Sequence, residues 1–190
     1  MSTIKVNNIQ SRTGNAISFT SGDTITIPSG ATFTNNGTVT GFGDNTPAFI
    51  AGLSSQQTIS SSTTTTVAFA SEILDTDNAY NNSTYTFTVP LNGMYCFNAT
   101  FQSDSGTTFN NNPHIAVVHR DSSGNPYTSG GGNADGFINY NFTFNGMTHT
   151  QFLRCYVGDT VKIQVQQFSG SNLFLYAPRT FFSGYKLIGA

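Results

Sequence analysis

Through most of this chain apolar and polar residues alternate one for one, and the alternation is cut at short intervals by Asn, Gly, Ser or Asp. Tyr85-Thr86-Phe87-Thr88-Val89-Pro90 and Tyr95-Cys96-Phe97-Asn98-Ala99-Thr100-Phe101 show the pattern most clearly. Successive side chains of an extended backbone point to opposite faces, so a period of two writes a strand that buries one face. No window carries the i, i+3, i+4, i+7 apolar stripe of an amphipathic helix. Glu occurs once, at Glu72, and Trp never. Thr and Phe suit a pleated, half-buried surface, while Asn, Gly and Ser supply turns. The expected fold is all-β.

Charged residues make up 8% of the chain and the formal net charge is −2. Such a chain presents no basic field to a polyphosphate backbone, so nucleic acid is not an expected partner. The 13% of aromatic residues argues against disorder, because it supplies the apolar area that offsets chain entropy. No apolar run approaches the roughly 18 residues of a membrane span, so no membrane insertion is expected, and the first residues hold no apolar signal segment. Cys96 and Cys155 have no metal-binding spacing. Cys96 alternates against Tyr95 and Phe97 while Cys155 shares a face with Leu153, which predicts two free thiols.

Two unlike segments follow one another. Residues 1–46 hold short alternations such as Ile17-Ser18-Phe19, Ile25-Thr26-Ile27 and Thr38-Val39-Thr40, broken at Ser21-Gly22-Asp23, Ser29-Gly30 and Asn35-Asn36-Gly37. Strands this short expose too little apolar area to stand alone and need neighbouring copies. They read as a β-rich stalk or attachment arm, or as a tail that orders only on a larger assembly. Gly41 to Pro47 is a turn-rich hinge, and residues 47–190 form the head.

In the head, His114 to His119 and Asn139 to Phe144 add further strands. A hairpin is expected from Thr150-Gln151-Phe152-Leu153-Arg154-Cys155 through Val157-Gly158-Asp159 to Val161-Lys162-Ile163-Gln164-Val165, and Phe182 to Ile188 closes the chain. Short strands at this spacing indicate a two-sheet sandwich or jelly roll. Four landmarks resemble the C1q/TNF-like jelly roll. Pro47-Ala48-Phe49-Ile50-Ala51 is similar to its first strand. Phe87-Thr88-Val89-Pro90-Leu91-Asn92-Gly93-Met94-Tyr95-Cys96-Phe97 fits its Phe-x-x-Pro-x-x-Gly-x-Tyr-x-Phe pattern. Gly158-Asp159-x-Val161 after Leu153 follows its Leu-x-x-Gly-Asp-x-Val segment with two extra residues, and Phe182-Ser183-Gly184-Tyr185-Lys186-Leu187 fits its ending. The resemblance implies a homotrimeric head without catalytic activity, in a family whose members bind proteins, glycans and sometimes calcium. It implies no cofactor.

Thr24-Ile25-Thr26-Ile27-Pro28-Ser29-Gly30-Ala31-Thr32-Phe33 resembles repeats near the N-termini of tail and fibre proteins of marine and cyanobacterial bacteriophages. Together the resemblances imply a virion protein, located in the phage particle. One reading is a trimeric fibre or knob that attaches to other virion proteins through residues 1–46 and meets a host-surface glycan or protein with its head. A capsid decoration protein and a non-viral, lectin-like C1q-domain protein are the alternatives.

Among candidate sites, His114, His119 and His149 have no acidic residue at a useful sequence offset, and no nucleophile elbow or phosphate loop appears, so no catalytic residue is expected. Asp75-Thr76-Asp77-Asn78 offers oxygens, but Ala79 stands where a calcium loop needs a ligand, so no metal site is expected. The Gly- and Asn-rich segment 128–136, flanked by Asn125 and Tyr127, is the candidate receptor surface, with Asn125, Tyr127, Asn133 and Asp135 as contacts. Tyr85, Phe87, Tyr95 and Phe97 are expected in the core. In the trimer reading, Phe181 and Tyr185 pack at the interface.

Overall fold

The structure is a computed structural model, and it describes residues 26, 29–32, 46–104, 114–127, 138–139 and 146–187. The chain divides into two units, Met1–Phe42 and Gly43–Ala190. In the first, Ser29 and Gly30 form a turn in which Gly30 takes φ +84°, as the Ser-Gly pair leads one to expect. The expected strands of residues 1–46 otherwise lie outside the described residues.

The second unit is built from strands β1 (Ala48–Gly52), β2 (Gln57–Ile59), β3 (Thr65–Thr66), β4 (Ser71–Asp75), β5 (Tyr80–Asn81), β6 (Thr86–Thr88), β7 (Gly93–Gln102), β8 (His114–Arg120), β9 (Ile138–Asn139), β10 (Gly146–Cys155), β11 (Thr160–Gln166), β12 (Leu173–Leu175) and β13 (Phe181–Lys186). One sheet runs β10-β7-β13-β1-β4. The other runs β5-β6-β11-β8-β9, with β3 also on β11, and β12 pairs with β2. Every strand pairing is antiparallel. This is the expected all-β jelly roll, with each sheet contributing one face to a shared core.

The core is aromatic. Phe49 of β1 stacks on Phe87 with centroids 4.7 Å apart and on Tyr80 at 4.9 Å, and meets Phe182 edge-on at 4.9 Å. Phe87, Tyr95 and Phe97 are fully buried, as their alternation predicts. Tyr85 departs from it. Its φ of +58° places it in a turn before β6, so the two-residue period starts one residue later and Tyr85 is only half-buried.

A second departure is topological. The expected hairpin between Thr150 and Val165 does not form: β10 pairs with β7 in one sheet, while β11 pairs with β8 and β6 in the other. Residues 156–159 are therefore a crossover that takes the chain from sheet to sheet. Gly158 has φ +87°, and a Cβ there would lie 2.9 Å from Ser122 Cβ, so both backbone and space require glycine.

Candidate functional site

Charge is scarce enough in this chain that a buried carboxylate stands out, and Asp159 at the crossover is 2% exposed. It is surrounded by donors. Tyr156 N–H donates to Oδ2 at 2.9 Å, and the Tyr127 hydroxyl lies 2.8 and 2.9 Å from the two oxygens. His119 Nε2 lies 2.9 Å from Oδ2. His119 pairs with Val161 across β8 and β11, so the alternation that buries Val161 turns the imidazole inward as well. The Tyr127 ring stacks on that imidazole, with centroids 4.2 Å apart.

The backbone fixes the crossover on its other side. Gly158 N–H donates to Val89 O, and Val89 N–H donates to Asp159 O. Val157 N–H donates to Asn92 Oδ1 at 2.8 Å. Asp159 thus ties β8, the 121–127 turn and the sheet-to-sheet passage into one unit, in surroundings where an unmet donor would be costly.

Cys155 stands at the end of β10 and is fully buried beside this network. Burial, with the Asp159 charge in second place, pushes its thiol up to about 12. The protonated thiol is therefore the form this buried position favours at neutral pH.

This cluster supplies His119 with an acidic partner that no short sequence offset indicated. His119 and Asp159 are 40 residues apart in sequence and meet only through the sheet register. The available signal was an aspartate two residues before a clean apolar alternation, in a chain with few charges. His149 faces inward from β10. Burial lowers its pKa. The neutral ring is therefore the form the fold favours, and stability present above about pH 6.5 is lost as pH falls from there through the lowered folded value. A series of urea midpoints from pH 7.5 to 5 should decline in the wild type, and His149→Gln should flatten that decline. An equal decline in both would remove His149 as its source.

The remaining predicted residues are placed as follows. Asn125 is exposed and closes its turn, its N–H and side-chain amide both donating to the Asp121 carboxylate. Tyr127 is half-buried, with its hydroxyl on Asp159 and one ring face on His119. Asn133 and Asp135 lie outside the described residues. Asp75 accepts from Tyr80 N–H at 2.8 Å and Asp77 N–H at 3.3 Å, so its carboxylate closes the acidic turn. Both cysteines are free thiols. Among the described residues no helix is long and apolar enough to cross a membrane.

Phe181 and Tyr185 stand on the outward face of the five-stranded sheet. Register assembles that face in rows: Ala48, Tyr185, Cys96 and Phe152; Leu74, Ile50, Ser183, Asn98 and Thr150; Gly52, Phe181, Thr100 and Thr148. None of these residues is charged. Phe152 is 55% and Tyr185 40% exposed, and Ile50 and Leu74 are exposed beside them.

Fold and site together define a two-sheet jelly-roll domain with a polar clamp at one sheet-to-sheet crossover and an aromatic outer sheet face bordered by Arg154 of β10. The family description of the C1q domain matches residues 48–187, and the chain belongs to that family. In structure it is similar to murine APRIL at pH 8.0, with 14% identity and a TM-score of 0.52 over 74% of this chain and 98% of that one. It is also similar to the globular domain of zebrafish complement 1qA protein, with 16% identity and a TM-score of 0.47 over 74% of this chain and 97% of that one. At such identities the likeness to APRIL shows the fold alone. No curated protein matches the chain in sequence.

Proposed function

We propose that this chain is a non-catalytic binding protein that works as a homotrimer, with copies packing on the outward face of the five-stranded sheet. The observation that carries this is the composition of that face. An antiparallel sheet that faces water normally alternates polar residues outward. Here Tyr185, Phe152, Ile50, Leu74 and Phe181 share an outer surface on which Arg154, at the end of β10, is the charged residue, and so low a charge over aromatic and aliphatic side chains is the signature of an association surface. The polar members Asn98, Thr100, Thr148 and Thr150 bond one another across β7 and β10, so they add little cost when covered.

Within that reading, the chain is a bacteriophage virion protein. Residues 1–46 attach to other virion proteins, and the head meets a glycan or protein of the host surface through Asn125, Tyr127 and the Gly- and Asn-rich segment 128–136. The N-terminal resemblance to phage fibre repeats supports this, and Tyr127, with its hydroxyl on Asp159 and its ring on His119, is held in one place. Three weak sites on one head would gain by avidity. Capsid decoration is the second virion role for the same trimer.

Light scattering on the full chain and on a chain beginning at Pro47 tests the assembly. Both should have the mass of a trimer, and Tyr185→Arg, which places a charge in the aromatic row, should release folded protomers. A wild-type head that stays monomeric at micromolar concentration would overturn the reading. Sedimentation of the trimer with bacterial envelopes separates the two virion roles: binding supports the adhesin, and no binding favours decoration.

A further inference from the structure

We propose that His119, Cys155 and Asp159 bind one divalent transition-metal ion of the zinc class at the crossover between the two sheets. An imidazole nitrogen, a thiol sulfur and a carboxylate oxygen all lie within 4.8 Å of one another, and all three residues are buried. Zinc bonds of about 2.0–2.3 Å in a tetrahedron hold ligand atoms about 3.5 Å apart. The set therefore reaches coordination distances by contracting no gap by more than about 1.3 Å and opening the 2.9 Å His119–Asp159 contact by about 0.6 Å.

The donor types select the ion. A mixed nitrogen, sulfur and oxygen set suits zinc or cobalt, whereas calcium and magnesium take oxygen ligands. The sulfur gives up little, because its hydrogen bond to Leu153 O is long, at 3.8 Å. The outer shell is already in place: Tyr127 O–H and Tyr156 N–H donate to the Asp159 carboxylate and orient it.

Protons balance as follows. The metal takes the Nε2 lone pair of neutral His119, whose proton moves to Nδ1. It binds Cys155 as the thiolate, whose proton is released to solvent, so each ion bound releases one proton. The positive ion offsets the burial that otherwise keeps the thiol protonated. Because His119 belongs to β8 in one sheet and Cys155 to β10 in the other, the ion staples the two sheets where the chain passes between them.

The test is cobalt titration of the full chain, reduced and stripped of metal by a chelator. We expect a thiolate-to-cobalt charge-transfer band that saturates at one ion per chain, is displaced by zinc, and is accompanied by a higher Tm. Cys155→Ser should abolish the band. Cys96→Ser, on the opposite side of the neighbouring sheet position, should keep it. Tyr127→Phe, which leaves the three ligands intact, should weaken cobalt binding about 10–100-fold. Should Cys155→Ser fail to fold, His119→Gln followed by equilibrium dialysis replaces it, with loss of bound cobalt expected. A folded wild-type chain that shows no band, or a band that survives Cys155→Ser, overturns the proposal and leaves a hydrogen-bonded clamp only.

Discussion

Gly184→Ala should lower the stability of the head by at least about 3 kcal/mol, the upper part of the range for overpacking a tight core, and Gly184→Val should yield no soluble folded protein. Two effects oppose each other at this position. Replacing glycine by alanine in an extended strand ordinarily gains about 0.4–1 kcal/mol, because the unfolded chain loses freedom. Against that, a Cβ at Gly184 would lie 2.6 Å from Cδ1 and 2.8 Å from Cε1 of Phe97, and 2.8 Å from Cε1 of Phe49. Neither ring can retreat. Phe97 stacks on Tyr95 with centroids 5.9 Å apart, Phe49 is held between Tyr80, Phe87 and Phe182, and all these side chains are buried. The clash outweighs the entropic gain because a close-packed interior yields little. Urea unfolding of the purified alanine variant reads the loss directly. A midpoint shift worth under about 1 kcal/mol would mean that the rings repack and that Gly184 is not the constraint it is here taken to be.

That glycine was legible in the sequence as part of Phe182-Ser183-Gly184, and so was most of the strand order. Period-two alternation reports which face of a strand is buried, and of Tyr85, Phe87, Tyr95 and Phe97 it places the last three correctly. Alternation is silent on which sheet a strand joins. Val157-Gly158-Asp159 has the composition of a hairpin turn, yet the same residues serve a crossover. What decides between them is the pairing of Cys155 with Gly93 and of Thr160 with Arg120, contacts with distant parts of the chain. Tyr85 failed for a local reason: a residue in the left-handed region breaks the period without changing the letters. The His119–Asp159 clamp failed for a topological one, since a 40-residue separation closes only once β8 and β11 are in register. The outer sheet face is an intermediate case. Tyr185 and Phe181 could be singled out in sequence, whereas their rows with Phe152 and Ile50 follow only from strand register.

Asp159→Ala should cost about 3–5 kcal/mol, as expected when several buried donors lose their acceptor at about 1–3 kcal/mol each and water recovers part of the loss. The magnitude follows from what is left behind. In the wild type one carboxylate satisfies the His119 imidazole, the Tyr127 hydroxyl and the Tyr156 amide; in the variant all three face a void. Each orphaned buried donor costs about 1–3 kcal/mol, partly recovered if water enters. Asp159→Asn should fall between the two, because its amide oxygen still accepts while its NH₂ opposes a donor. A double-mutant cycle with His119→Leu separates a shared network from independent contacts. The two changes should be less than additive by about 0.5–3 kcal/mol, since leucine removes a donor that Asp159→Ala would otherwise strand. All four proteins are measured in chelator, so that a bound ion does not contribute. Strict additivity would mean that Asp159 acts through Tyr156 and Tyr127 alone. His119 would then be a packed strand histidine whose ring serves Tyr127 by stacking alone, and the crossover would be fixed by its backbone bonds to Val89.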